Sequence, residues 1–142
     1  MMTREEIDAL GKEKPKTREV KVPGWPKPAL IRVMSGTDRD SFEAGNYVTT
    51  AAAGQMKVTY STANIRARLA VRCLCDDTGR RLYTDNEAGV FGAQHDGVAL
   101  DAIYDAARDL NCLTTKAEDD LAKKLEASPS SEAGSESPPI SE

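Results

Sequence analysis

Cys73, Cys75, Cys112 and His95 together have the composition of a Cys3His zinc site. Their spacing argues against one. Zinc sites are built from C-x2-C pairs, whereas Cys73 and Cys75 stand as C-x-C inside RARLAVRCLCDDTGRRLYTD, a run with the apolar period of a helix. At 3.6 residues per turn the two thiols point about 200° apart, one inward and one outward, and reach one ion only if the helix ends between them. The same angle removes a redox pair, which needs C-x-x-C. Cys73 and Cys112 then read as small core hydrophobes and His95 as a loop residue, with no metal and no cofactor expected.

Other chemistry fares no better. The acid pairs Asp76 with Asp77 and Asp119 with Asp120 fall at a turn and on a solvent-facing stripe, where carboxylates are solvated. One histidine and no serine in an elbow motif give no triad. GVFGAQHDG carries glycines without the preceding strand of a phosphate-binding loop. Arg66, Arg68, Arg72, Arg80 and Arg81 are the best nucleic-acid candidates. Arg68 and Arg72 are helical neighbours, but Arg66 lies about 200° from Arg68, and Asp76, Asp77, Asp85 and Glu87 follow to neutralise the group. The expectation is a protein that is not an enzyme.

The elements that must position these residues follow from periodicity and punctuation. TREEIDALG has a capping box in Thr3 and Glu6 and a stop in Gly11, so a short helix and linker are expected over 1–16. EVKVPGW and ALIRVMS alternate on either side of PGWPKP, which predicts a β-hairpin over 18–34 with a proline-rich tip. Thr37 as N-cap, with Asp38 and Asp40 in the first turn, begins a helix expected over 37–52, and GQMKVTYST follows as a loop or short extended piece. Ile65, Leu69, Ala70, Cys73 and Leu74 give an amphipathic helix over 62–75, closed by the DDTG turn. Thr84 and Glu87 cap a short helix over 85–91, broken by Gly89 and Gly92. Leu100, Ile103, Tyr104, Ala107 and Leu110 make the clearest stripe, over 98–111. Thr115 and Glu118 open a helix over 115–126 with Ala117, Leu121 and Leu125 aligned.

Beyond that helix, 128–142 has no aromatic residue and one large aliphatic one, Ile140, so a disordered acidic tail is expected. The architecture read from these signals is α+β and mostly helical: an N-terminal β-hairpin, then a small helical domain, then the tail. With 142 residues and 39% hydrophobic composition, one core is the limit, and a single domain is expected over 17–127.

The charge also bears on function. The formal net charge is −4, and of the 23 acidic residues Glu132, Glu136 and Glu142 lie in the tail, leaving 20 against 19 basic ones in the body. A nearly neutral body exerts little pull on phosphate backbones, so nucleic acid is a poor first partner. No stretch approaches the ~18 to 20 apolar residues of a membrane span, and the acidic start MMTREEIDAL lacks a leader's apolar region, so no membrane is expected. An odd cysteine count in a chain of this size fits a reducing cytosol.

The order of the segments carries a resemblance. REVKVPGW, then IRVMSGTDRDSFEA, then NIRARLAVRCLCDDTGRRLYTD, then LDAIYDAARDLNCLT, then a charged helix and a Ser/Pro/Glu tail, resembles the tail assembly chaperones of long-tailed bacteriophages from about Thr17 to Glu126. The resemblance implies a non-enzymatic protein of the host cell cytoplasm that coats the helical tape measure protein, helps recruit tail tube subunits and is absent from the mature virion. It further implies a frameshifted long form, extended from the tail of this one, and no catalytic residues to carry over. Gly89, where a longer helix is expected, and the heavy proline-rich tip around Trp25 depart from the pattern and bear on the contact surfaces.

Three residues stand out as partner contacts. Trp25, flanked by prolines at a hairpin tip, either covers one edge of the domain or anchors a partner. Leu121 and Leu125 either present a binding or self-associating face or close the core.

Overall fold

The computed structural model describes residues 1–113, which include Met1–Asn111, the first of the two compact units into which the chain divides. The helix expected over 115–126, with Asp119, Asp120, Leu121 and Leu125, and the tail over 128–142 lie outside the described residues. In chain order the elements are α1 (Arg4–Gly11), β1 (Thr17–Val20), β2 (Ala29–Arg32), α2 (Gly36–Ala44), β3 (Tyr47–Ala52), β4 (Gln55–Tyr60), α3 (Ile65–Cys73), α4 (Ala88–Gln94) and α5 (Gly97–Leu110). A single 3-10 turn, Asp85–Glu87, leads into α4. The fold class is α+β: helices with two separate antiparallel hairpins.

Local signals explain the first elements. Thr3 Oγ accepts from the Glu6 N–H at 3.2 Å and the Glu6 carboxylate accepts from the Thr3 N–H at 3.2 Å, closing the capping box on a helix with no buried residue. β1 and β2 pair from Thr17↔Arg32 to Val20↔Ala29, turning Val20 and Ile31 inward. Their connection begins with Val22-Pro23-Gly24-Trp25, where the Trp25 N–H donates to Val22 O at 3.1 Å. Proline presets the first central position and Gly24, at φ 85°, supplies the positive φ of a type II turn.

α3 is the centre of the described fold. Six of its nine residues are buried, and α2, α4 and α5 pack around it. Its own Leu69, Val71 and Cys73, with Ile31 of β2 and Ile103 of α5, are the largest fully buried side chains among the described residues. Small side chains let the helices approach, as at Gly92 of α4, where a Cβ would meet Asn64 Oδ1 and come 3.0 Å from Ala67 Cβ. After α3 the chain returns along β2: Cys75 N donates to Leu30 O at 2.9 Å, and Leu82 N donates to Leu74 O at 3.0 Å. Asp76 Oδ1 organises the intervening turn by accepting from Thr78 N at 2.9 Å, Thr78 Oγ at 2.6 Å and Arg80 N at 3.1 Å.

Several expectations need correction. The helix expected over 37–52 ends at Ala44, and Ser35, not Thr37, caps its start by accepting from Asp38 N at 3.1 Å. Residues 47–60 form a second hairpin instead. Phe42, Gly45, Val48 and Ala52 recur at a helical spacing that suggests a longer helix, but that spacing is coincidental. The strand preference of Val48, Thr49 and Thr50 prevails, together with a turn at Ala53 (φ 53°) and Gly54 (φ 78°) whose two positive φ values make it type I′. α3 is shorter than 62–75, starting after a left-handed Asn64 (φ 56°) and ending at Cys73. α4 runs through Gly89 and Gly92 without breaking, and Thr84 makes no side-chain cap. Asp96 caps α5, accepting from Ala99 N at 2.7 Å. Among the described residues no helix is long and apolar enough to cross a membrane.

Candidate functional site

The arginines of the segment 66–81 are largely turned inward. Arg72, on α3, is 5% exposed; its Nη1 donates to Arg68 O at 2.7 Å and its Nη2 to Ser41 Oγ at 3.0 Å, with Asp85 Oδ2 at 3.2 Å. Arg81 donates from Nε and Nη2 to Val71 O at 3.2 and 3.0 Å, from Nη1 to Asp38 at 3.1 Å and from Nη2 to Asp85 at 2.6 Å. Arg32 of β2 completes the network by donating to the other oxygen of Asp38. Three guanidiniums thus share two carboxylates between β2, α2, α3 and the 3-10 turn. Arg72 Nε is buried without a hydrogen-bond partner, a cost of about 1–3 kcal/mol that the other bonds of the same guanidinium offset.

Arg66 pairs with Asp101 of α5, and Arg68 donates to Phe42 O at 3.3 Å and Asn46 Oδ1 at 2.8 Å while its guanidinium lies over the Phe42 ring. Arg80 is exposed. Four of the five basic side chains considered for nucleic acid are therefore engaged within their own chain, and their spacing does not make a phosphate-tracking stripe. The sequence reading missed Asp38 as the partner of Arg81 because the two lie 43 residues apart, and missed the Arg32–Asp38 pair because it bridges a strand and a helix, where no periodicity aligns them.

The thiols occupy different surroundings from those expected. Cys73 is buried, as expected of a core residue, and Asn111 Nδ2 approaches its sulfur at 3.7 Å. Cys75 does not face outward. The helix ends at Cys73, so Cys75 lies in extended chain bridged to Arg81 and is buried too. Burial pushes the Cys73 thiol up to about 12 against the opposing pull of Arg32, Asn111 and Arg81, and burial also raises Cys75. Cys112, expected in the core, is exposed. Among the described residues no three His, Cys, Asp or Glu side chains converge as a metal site. Titration of the native protein with a thiol reagent is expected to modify Cys112 rapidly, and Cys73 and Cys75 only on unfolding; rapid reaction of either buried thiol would contradict this burial.

The apolar surface around Trp25 is the better candidate. Trp25 is half-buried, and its ring lies 5.4 Å from that of His95, which lies 4.4 Å from Phe91, which lies 4.9 Å from Tyr83. This row pins the hairpin tip to α4, so Trp25 does cover an edge of the fold. Its other surroundings form an open groove of about 410 Å³ lined by Trp25, Pro28, Leu30, Leu74, Leu82 and Tyr83, with Leu82 56% exposed on its rim. Pro26 and Pro28 stiffen one wall and Leu82 and Tyr83 form the other. Leu121 and Leu125, the other expected contacts, lie outside the described residues. Comparison of the chain with protein-family models, with curated proteins and with solved structures finds no match.

Proposed function

We propose that this chain is a tail assembly chaperone of long-tailed bacteriophages: it binds the tape measure protein, helps recruit tail tube subunits in the host cell cytoplasm, and is left out of the mature virion. The proposal starts from the ordered sequence blocks between Thr17 and Glu126. The observation that carries it at the site is the groove beside Trp25. Its walls are mainly tryptophan, tyrosine, leucine and proline, with Lys27 and Asp77 beside them, a lining suited to the apolar stripe of a partner helix flanked by charged residues. Leu121 and Leu125 belong to the same proposal as a second contact or a self-association face, and a frameshifted long form would extend the chain beyond them.

The test is capture of the tape measure protein encoded with this chain, after co-expression, by the native protein and by two groove variants. Leu82→Asp places a charge on an exposed rim position and leaves the core intact. Trp25→Ala removes the aromatic wall. Each is expected to weaken binding about tenfold or more while α-helical content is retained. Binding indifferent to both variants removes the groove from the proposal, and absence of any complex removes the proposal itself.

A further inference from the structure

We propose that the free edge of β3 pairs with the β3 edge of a second copy of this chain, joining two hairpins into one four-stranded antiparallel sheet about a two-fold axis at Thr49. This does not depend on the tail-assembly reading.

All twelve residues of β3 and β4 are exposed, so this hairpin buries neither face within its own unit. It is nonetheless amphipathic. Tyr47, Thr49 and Ala51 share a face with their partners Tyr60, Val58 and Met56, and on that face Tyr47 is 56%, Met56 74%, Val58 63% and Tyr60 58% exposed. Such a two-stranded ribbon is marginal in water, whereas three or more strands sustain themselves. A partner strand therefore supplies what the fold leaves out.

The hydrogen-bond pattern says which groups are available. Ser61 N donates to Asn46 O at 2.6 Å, and the ladder continues in register without a bulge to Ala52↔Gln55. Antiparallel pairs alternate between bonded and unbonded, so Asn46, Val48, Thr50 and Ala52 turn their amides toward β4. The N–H and C=O groups of Tyr47, Thr49 and Ala51 point away from β4, toward the open edge. Their side chains are those of the apolar face.

A second β3, antiparallel and centred on Thr49, places Tyr47 opposite Ala51 of the other copy and Thr49 opposite its own counterpart. Every outward amide group then meets an identical outward group, and the two apolar faces come out on the same side of the sheet. Shifting the register by one residue would put an apolar face beside a polar one.

Charge and edge chemistry select this occupant. From Asn46 to Ser61 the one charged residue is Lys57, on β4 and on the opposite face, so two copies meet across β3 without like-charge repulsion. The same neutrality gives a phosphate backbone or an acidic peptide nothing to bind. Exposed edges are ordinarily blocked by a charge, a proline or a bulge, and β3 has none of the three. A six-residue strand is about 20 Å long and its pairing buries less than the ~800 Å² per partner of a standard interface, so the dimer is a reversible one, governed by concentration.

Sedimentation of the full chain across a concentration series tests this. A monomer–dimer equilibrium is expected, weakened about tenfold or more by Thr49→Lys, which sets two ammonium groups opposite each other at an exposed position that the monomer tolerates. In a Cys112→Ser background, Thr49→Cys is expected to form an intermolecular disulfide on oxidation, because directly bonded antiparallel pairs hold Cα atoms about 5.5 Å apart. Thr50→Cys, whose counterpart is displaced along the ladder, is expected to cross-link far less. A chain that stays monomeric at every soluble concentration overturns the proposal. So does a dimer insensitive to Thr49→Lys, or one that cross-links equally well through either cysteine.

Discussion

Asp38→Ala is expected to destabilise the protein by about 3–5 kcal/mol, read as a loss in the midpoint of chemical denaturation. Asp38 is the shared acceptor of Arg32 and Arg81, and the three side chains are 16%, 13% and 20% exposed. Removing the carboxylate leaves Arg32 without its acidic partner in a site where water cannot replace it. Arg81 retains Asp85 and the Val71 carbonyl, so the loss falls on the junction between β2 and α2. Adding Arg32→Met should restore part of the stability, because the stranded charge leaves with its partner. A loss below about 1 kcal/mol for Asp38→Ala would mean that the network is solvated and structurally idle.

The same network contributes to stability in acid through Asp85. Burial pushes the Asp85 carboxyl up, but the Arg81 hydrogen bond, the Arg72 charge and the Ser41 hydroxyl outweigh it and hold the group below its ordinary value. A depressed carboxyl contributes stability that is complete above the unfolded-state carboxylate range. That contribution is lost as pH falls through the depressed folded-state value. Stability should accordingly be level near neutrality and fall in acid.

What the sequence disclosed and what it withheld divide by the range of the interactions. The capping box of Thr3 and Glu6, the turn around Pro23 and Gly24 and the stripe of α5 are settled within a few residues, and their local chemistry is enough to find them. Of the second hairpin, β3 reads as helix because alanines and a chance spacing imitate one and β4 reads as a loop or short extended piece, while the deciding signal is three β-branched residues before a two-residue turn. An outward Cys75 follows only if the helical angle is carried two residues past the true end of α3. The bond to Leu30, 45 positions earlier, is long-range, and the bridge to Arg81 forms across a turn; neither is visible to helical periodicity. Trp25 was recognised as unusual from its flanking prolines, but the His95 and Phe91 rings that receive it lie some 70 positions downstream. For the arginines, the nearby acids point to local pairing, and Arg72 and Arg81 do share Asp85; the partner at Asp38, 43 positions before Arg81, leaves no local trace.

Asn111 had no sequence signal at all, and Asn111→Leu is expected to cost about 2–4 kcal/mol. It stands at the end of α5, where a polar residue usually just frays into solvent, yet it is 5% exposed. Its Oδ1 accepts from Met34 N at 2.8 Å, its Nδ2 donates to Ala107 O at 2.9 Å and approaches Cys73 Sγ, and its carbonyl accepts from Arg39 Nη1 at 3.2 Å. One side chain therefore fastens the end of α5 to the segment after β2 and to the floor of the core. Leucine has a similar volume but neither donor nor acceptor, so the Met34 N–H would be buried unsatisfied, while the backbone bond to Arg39 would survive. Asn111→Asp separates the two contributions, since a carboxylate keeps the acceptor for Met34 and loses the donor to Ala107 and Cys73. Hydrogen exchange should find the Met34 amide protected in Asn111→Asp and released in Asn111→Leu; equal protection in both would show that the bond does not hold α5 to the sheet.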